Sequence, residues 1–330
     1  QLFQALWRTY FKAICIRERM NPRKQLKDMP RRYWKYMTEK NLFCSITGIP
    51  NMGKSTLLNR LIGFDLAIIS PKAETTRSKI TGVLTEDGIQ YVFLDTPGYN
   101  KPKTKLDQHL VRTVRDTFSD SDCILFLTYP KDSFLEYEQK LLDEFRGKGI
   151  PVVLGINKCD TVSVEIAEKC LNALMSLYGF ADGCCFSALD GTGIDELKQK
   201  LAAFAVEGEH FFPDDTLTDI PEKYVVAEIV RERLLYNLRD ELPHGCAVEV
   251  MRFREREDRD MVDIDVNIYC ERDSHKGMII GKGGSMLKKI GSEARKKVED
   301  FLDCRVNLQC WVKVRNDWRN SEFDLKDLGF

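Results

Sequence analysis

Residues Gly48 to Thr56 read Gly-Ile-Pro-Asn-Met-Gly-Lys-Ser-Thr, and few folds accommodate that string. Its two glycines let the chain curl until successive backbone N–H groups face one anion, and a helix starting near Lys54 adds the positive end of its dipole behind them. Such a loop needs a strand before it and a helix after it. The apolar run Leu42–Ile46 supplies the first, and Leu57–Leu61 opens the second. The expectation is an α/β domain built on a doubly wound, mostly parallel sheet, with this P-loop at the end of its first strand. The N–H groups of Asn51, Met52, Gly53 and the residues through Thr56 would face a β-phosphate. Lys54 would reach the β- and γ-phosphates, and the Ser55 hydroxyl would ligate Mg²⁺.

Further parts of a nucleotide site follow in workable order. Asp95-Thr96-Pro97-Gly98 comes after the strand-like run Tyr91–Leu94, so a carboxylate stands at a strand end, where open α/β sheets place ligand-binding groups. Asp95 would hold Mg²⁺ through a water, and the Gly98 N–H would approach the γ-phosphate. Between these elements lies Thr75-Thr76-Arg77. A threonine hydroxyl there closes the metal sphere only when a γ-phosphate is present, which makes the segment a switch. Thr76 is the preferred ligand and Thr75 the second choice, while Arg77 reads as a solvent-facing switch arginine, with an internal arginine finger as the alternative.

Asn157-Lys158-Cys159-Asp160, after the apolar run Val152–Ile156, selects the base. The Asp160 carboxylate accepts from guanine N1–H and the 2-amino group together, and adenine offers neither donor. A site built on such a buried hydrogen bond rejects the analogue by roughly 10⁴-fold or more. Asn157 would brace the loops, the Lys158 methylenes would cover the base face, and Ser187-Ala188 would offer a backbone N–H to the guanine O6. GTP and GDP are the expected ligands, with Lys54, Thr76, Asp95 and Gly98 as the catalytic group.

At 330 residues the chain exceeds the usual single domain, so two are expected. No apolar stretch approaches the roughly 18–20 residues of a membrane span, and no cleavable leader is present, which together point to a cytoplasmic protein. The 11 cysteines include no Cys-x-x-Cys pair and only four histidines accompany them, so the thiols read as reduced rather than as a zinc site or disulfide framework. The net charge of −1 conceals an asymmetry: residues 1–40 carry 11 Lys/Arg against 3 Asp/Glu, whereas residues 41–220 carry 18 against 26.

Pro213, Asp214, Asp215 and Pro221 break the periodicity between 208 and 221, and a helical pattern resumes at Tyr224 with Val225, Ile229, Leu234 and Leu238 on one face. Two alternating stretches follow, Ala247–Phe253 and Met261–Tyr269, then a helical pair and a last strand over Val306–Val314. Inside the helical pair sits Ile279-Ile280-Gly281-Lys282-Gly283-Gly284, the Gly-x-x-Gly pattern of a KH nucleic-acid module in its bacterial, type II topology. Glycines at that turn let a single-stranded phosphodiester backbone approach, clamping about four nucleotides. Across 276–297, Lys276, Lys282, Lys288, Lys289, Arg295, Lys296 and Lys297 face Glu293 alone, a footprint for phosphates. Ile280 and the sheet edge would form the apolar groove for bases.

A P-loop G domain of the translation-factor class followed by a type II KH domain resembles the Era family of ribosome-assembly GTPases. The stretches that carry the resemblance are NMGKSTLLNRLIG, SPKAETTR, FLDTPG, NKCD, FSAL, ERDSHKGMIIGKGG and WVKVRNDWR, and it extends over about Met37 to Asp327. The resemblance implies an α/β P-loop GTPase domain over 37–207, a linker over 208–221 and an α+β KH domain over 222–327. It also implies a monomeric, cytoplasmic GTP hydrolase that binds the 3′ end of small-subunit ribosomal RNA, assists assembly of the small ribosomal subunit and, in some members, touches the inner face of the cell membrane peripherally. Met52 and Tyr99 depart from the aliphatic residues usual in the family. Because Tyr99 stands where many GTPases place a water-orienting glutamine, slow intrinsic turnover is expected. Asn51 resembles a potassium-coordinating asparagine of related GTPases, so K⁺ is a candidate further cofactor. Residues 1–36 form a basic leader of helical pattern that resembles the C-terminal end of a bacterial DNA-metabolism protein and reads as a fused or read-through remnant ahead of a start at Met37. A tRNA-modification GTPase is disfavoured by the ending Leu328-Gly329-Phe330, which lacks a reactive cysteine. A non-catalytic RNA-binding scaffold is disfavoured because every phosphate, metal and guanine ligand is present.

Overall fold

The computed structural model describes residues 39–70, 72, 76–77, 79–98, 102–119 and 121–330. Two compact units form, and they do not divide at one point of the chain. The first ends its opening stretch at Phe64 and adds Thr81–Thr96 and Arg115–Asp219; the second gathers Asp65–Ile80, Pro97–Val114 and Ile220–Phe330.

The first unit is built on a seven-stranded sheet. Its strands are β1 (Lys40–Gly48), β2 (Ile80–Glu86), β3 (Ile89–Asp95), β4 (Cys123–Thr128), β5 (Val152–Ile156), β6 (Asp182–Cys185) and the short β7 (Val206–Glu207). The order is β2-β3-β1-β4-β5-β6, with β7 pairing antiparallel to the start of β1. Helices α1 (Lys54–Ile62), α3 (Glu136–Lys148), α4 (Val164–Leu177) and α5 (Ile194–Ala202) complete the alternation, while α2 (Lys105–Phe118), which follows β3 in the chain, is allotted to the second unit through Val114. Strands β4 and β5 are buried at every position, as strands covered on both faces must be. Asp87 and Gly88 both have positive φ, the conformation of a two-residue hairpin turn, and they join β2 to β3. The pairs β1/β3, β1/β4, β4/β5 and β5/β6 are parallel. All their C-terminal ends therefore open onto one edge of the sheet, and the four nucleotide motifs leave from those ends. The chain reverses its winding direction at β1, which places the P-loop at the topological switch point.

The second unit contains a three-stranded sheet in the order β10-β9-β8, where β8 is Ala247–Glu255, β9 is Met261–Cys270 and β10 is Arg305–Val314. β8 runs antiparallel to β9 and β10 runs parallel to it. Helices α6 (Glu222–Asn237), α7 (Asp273–Ile280) and α8 (Ser285–Leu302) complete the α-β-β-α-α-β order of a type II KH fold, and α9 (Glu322–Asp327) follows β10. The alternation in β9 sends Val262, Ile264, Val266 and Ile268 into a core shared with Val226, Val230 and Leu234 of α6, Ile279 of α7, and Ile290, Ala294 and Val298 of α8. Each fully buried aliphatic side chain contributes about 1.5–3 kcal/mol. The buried stripe of α6 differs from the sequence expectation: Val226, Val230 and Leu234 form it, while Val225 is buried on another side and Ile229 only half-buried. A helix covered on several sides shows little amphipathic contrast, so its pattern misstates the core-facing register.

Candidate nucleotide site and nucleic-acid interface

In the first unit the loop between β1 and α1 takes its shape from residues that tolerate positive φ. Gly48 has φ 146°, and a Cβ there would lie 2.4 Å from the Leu127 carbonyl oxygen. Gly53 has φ 86°, and a Cβ would lie 2.3 Å from Asn157 Nδ2. Asn51 takes the same left-handed region at φ 64°. Met52 is buried, so the side chain that departs from the family pattern packs inward while its carbonyl accepts from Asn157 Nδ2 at 2.8 Å.

Lys54 is buried on α1, its Nζ 3.2 Å from Gly48 O and 3.1 Å from Ile49 O. Burial lowers its pKa to about 8, partly countered by the Asp95 carboxylate. Ser55 Oγ donates to Asp95 Oδ2 at 2.9 Å, so two hard oxygen donors from β3 and α1 meet at the strand edge. That donor chemistry fits Mg²⁺, which favours carboxylate, hydroxyl and water oxygens. Thr96 Oγ1 donates to Ile46 O at 2.9 Å and ties the segment after Asp95 to β1.

Asn157 links three loops at the base-binding end. Besides its bond to Met52, its Oδ1 accepts from the N–H of Lys158 at 2.8 Å and from the N–H of Ala188 at 2.9 Å. Lys158 and Asp160 are exposed, and Lys158 has φ 66° at the start of a 3₁₀ turn over Cys159–Thr161. The Ser187 N–H donates to Thr192 O at 2.9 Å. Arg60 on α1, a residue the motifs do not include, donates to the carbonyls of Ala188 and Leu189 and thereby tethers the same loop. No motif encodes that tether, because its acceptors are backbone oxygens. Thr56 follows Ser55 on α1 and is half-buried.

Thr76 and Arg77 belong to the second unit, and both are buried. Arg77 is therefore neither solvent-facing nor a free finger. Its NH1 donates to Cys246 O and its NH2 to His244 O, each at 2.6 Å, and its guanidinium lies 5.8 Å from the centre of the Trp318 ring. Burial, with Arg231 nearby, lowers its pKa to about 10. Around it Leu106 and Leu110 of α2 pack with Ala247, Tyr269, Trp318 and Leu325. Tyr236 donates to Ile69 O at 2.8 Å and Lys72 donates to Leu238 O. Gly98 belongs to this unit as well. Thr75 and Tyr99 lie outside the described residues.

The glycine-rich turn of the second unit joins α7 to α8. Gly281, Gly283 and Gly284 all have positive φ, at 72°, 60° and 78°. A Cβ on Gly281 would lie 2.7 Å from Met286 Cβ, whereas around Gly283 and Gly284 a Cβ would meet nothing within 4 Å. The first glycine is thus required by packing, and the later two leave room outside the turn. No side chain caps α8, whose N-cap is Gly284. With no side-chain cap, the first turn of α8 keeps backbone N–H groups at the positive end of the helix dipole, an arrangement suited to a phosphate. The charge count needs correction, because several of the cations are partnered: Lys289 with Glu293 at 3.8 Å, Arg295 with Glu299 at 3.9 Å and Lys297 with Glu232 at 2.8 Å. Among the described residues no ion pair involves Lys276, Lys282 or Lys288. Ile280 is half-buried against the core, and β10 is an edge strand.

A family model described as 50S ribosome-binding GTPase matches residues 43–158, and one described as KH domain matches 241–319. A third, a domain of unknown function, matches 1–39. The chain is 46% identical over 288 residues to the GTPase Era of Caldanaerobacter subterraneus subsp. tengcongensis, covering 87% of this chain and 97% of that protein. It is 44% identical over 294 residues to the GTPase Era of Alkaliphilus metalliredigens, covering 89% and 100%. Among solved structures, a variant of Aquifex aeolicus Era bound to GDP·AlF4⁻ superposes with a TM-score of 0.85 at 34% identity, covering 88% of this chain and 99% of that one. The structure of Era in complex with MgGDPNP and nucleotides 1506–1542 of 16S ribosomal RNA matches with the same score, identity and coverage.

Proposed function

The chain belongs to the Era family of GTPases, and from that premise we propose that it is a GTP-hydrolysing switch that binds the 3′ end of small-subunit ribosomal RNA and assists assembly of the small ribosomal subunit. The observation that carries this reading is the convergence of Ser55, Asp95, Asn157 and Ala188 at one sheet edge through hydrogen bonds of 2.8–2.9 Å. A relative solved with MgGDPNP and 16S ribosomal RNA supports it.

In this reading residues 37–207 form the G domain, 208–221 the linker and 222–327 the KH domain. The N–H groups from Asn51 to Thr56 bind the β-phosphate, Lys54 pairs with the β- and γ-oxygens, and Ser55, Thr76 and Asp95 would hold Mg²⁺, whose charge would offset that of the phosphates. The Gly98 N–H orients the γ-phosphate. Asp160 selects guanine, Lys158 covers the base, and Ser187-Ala188 address its O6. Only the γ-phosphate state engages Thr76 and Gly98, so GTP shifts the population of switch conformations and hydrolysis returns it. Gly281, Gly283 and Gly284 admit the RNA backbone, Lys276, Lys282 and Lys288 meet its phosphates with Lys289 and Arg295 at the rim, and Ile280 lines the base groove. Asn51 would hold a K⁺ ion, which would supply positive charge to the reaction; equal hydrolysis in potassium and sodium, with and without Asn51→Ala, would remove that role. The protein acts as a cytoplasmic monomer with peripheral contact at the inner membrane face. No described helix is long and apolar enough to cross a membrane. Residues 1–36 take no part, and a chain starting at Met37 keeps both activities.

Crosslinking and sequencing of bound RNA from cells tests the reading, with Gly283→Asp as the comparison because its carboxylate repels phosphate. A peak at the small-subunit 3′ end that is lost in Gly283→Asp is expected. Absence of that peak from the wild type contradicts the partner.

A further inference from the structure

Two thiols stand beside the guanine loops and take no part in the nucleotide reading. Cys159 lies between Lys158 and Asp160, at the start of the 3₁₀ turn, and Cys185 ends β6, two residues before Ser187. Backbone bonds stitch the two segments together: the Phe186 N–H donates to Ile156 O at 2.9 Å and the Cys159 N–H donates to Phe186 O at 3.2 Å. Because Ile156 pairs with Cys185 in the parallel ladder, this stitching carries the turn back over the end of β6. The seam sets Cys159 beside the Cys185–Phe186 segment, close enough for each thiol to perturb the other. Each also donates to a carbonyl, Cys159 Sγ to Ile156 O at 3.2 Å and Cys185 Sγ to Ala167 O at 3.4 Å. Both are half-buried, so a small oxidant has access.

We propose that Cys159 and Cys185 form a reversible disulfide that weakens guanine-nucleotide binding. The proposal rests on the reading of Asp160 and Ala188 as guanine contacts. The neighbouring Cys185 thiol holds Cys159 below its ordinary pKa, and Cys159 in turn holds Cys185 above its own. Cys159 is therefore the nucleophile. Its thiolate attacks a small-molecule disulfide of the glutathione class, forming a mixed disulfide and expelling one thiolate. Cys185 then attacks the Cys159 sulfur, and the second small thiol leaves with the Cys185 proton. Two protein thiols are oxidised by two electrons in all, and the small disulfide is reduced to two thiols.

Bond formation brings the sulfurs to about 2.05 Å, well inside any non-bonded separation of two thiols. The turn that carries Asp160 and the strand end that leads to Ala188 are drawn together. Both must address one base edge at once, and a displacement of about 1 Å in such a preorganised site costs up to roughly 10²-fold.

Oxidation of the full chain with glutathione disulfide, followed by non-reducing peptide mapping and titration with a fluorescent GDP, tests this. The expected results are a linked Cys159–Cys185 peptide lighter than its separate halves by the two thiol hydrogens, a roughly tenfold or greater loss of GDP affinity, and full recovery in dithiothreitol. Cys185→Ser, or Cys185→Ala should the serine variant fold poorly, is expected to bind GDP as the reduced wild type does and to ignore the oxidant. No linked peptide, glutathionylated Cys159 as the end product, or a linked peptide with unchanged affinity each overturns the proposal. The reduced protein's preference for GDP over ADP, read in the same titrations, tests the guanine reading separately.

Discussion

Lys54 carries a charge that burial makes costly, and that cost becomes visible in pH dependence. Its pKa is lowered to about 8, so the free protein loses this charge as pH rises through that value, while phosphates beside the ammonium would keep it charged in the complex. GDP affinity should then decline above about pH 8, approaching one proton per binding event. Calorimetry between about pH 7 and pH 9 checks this, with Lys54→Arg expected to stay flat; parallel curves would show that Lys54 does not face the phosphates. At the base end, Asp160→Asn replaces an acceptor with an amide that donates. A loss of GDP affinity of roughly 10²-fold or more is expected, with a relative gain for xanthine nucleotides, whose 2-oxygen accepts; an unchanged GDP preference would remove Asp160 from the site. These residues are legible in sequence because each carries its chemistry in its own side chain within a short string. Arg60 is not, because what it holds are the Ala188 and Leu189 carbonyls, and a backbone oxygen has no residue signature.

The turn between α7 and α8 shows how far an element can be read from its residues. Its glycines announce a tight junction, yet only the packing separates their duties. Gly281→Ala forces a Cβ within 2.7 Å of Met286 and should destabilise the second unit by about 2–3 kcal/mol, strain and overpacking together. Gly283→Ala meets open space and should cost about 1 kcal/mol from its positive φ alone. Chemical denaturation distinguishes the two, and equal losses would contradict this division of roles. The segment containing Arg77 misleads a reading of the sequence for the opposite reason. A switch arginine reads as exposed, but its two acceptors are carbonyls of a 3₁₀ turn over Pro243–Gly245 and the residue after it, more than 160 positions away. Arg77→Ala leaves both carbonyls without their donor, and Arg77→Lys cannot span them with one ammonium. Each should destabilise by about 2–4 kcal/mol, while GDP affinity stays within about twofold of wild type, an interval below 0.6 kcal/mol. Normal stability with lost hydrolysis would restore the finger role.

The break in periodicity between 208 and 221 leads a reader of the sequence to expect two folded regions divided there. The allotment of residues 65–80 and 97–114 to the second unit does not follow from it. Their anchors, Leu238 O for Lys72 and the Leu106–Trp318–Leu325 cluster for α2, depend on three-dimensional proximity that no local pattern encodes. Charge behaves similarly, since a count over residues 276–297 cannot subtract the partners that Glu232 and Glu299 provide from outside that stretch. With Lys276, Lys282 and Lys288 as the main phosphate contacts, RNA affinity should fall with salt at a log–log slope of about −2, and Lys282→Ala should flatten it by about 0.7. A slope near that of all seven cations would mean that the ion pairs open on binding. A chain that reads the γ-phosphate and a ribosomal RNA end together must couple the two, and titrating a fluorescent fragment of the small-subunit RNA 3′ end into the protein held with GDP or with a non-hydrolysable GTP analogue measures that coupling. Binding at least about tenfold tighter with the analogue, a coupling of about 1.4 kcal/mol, is the predicted result; identical affinity in both nucleotide states would contradict it.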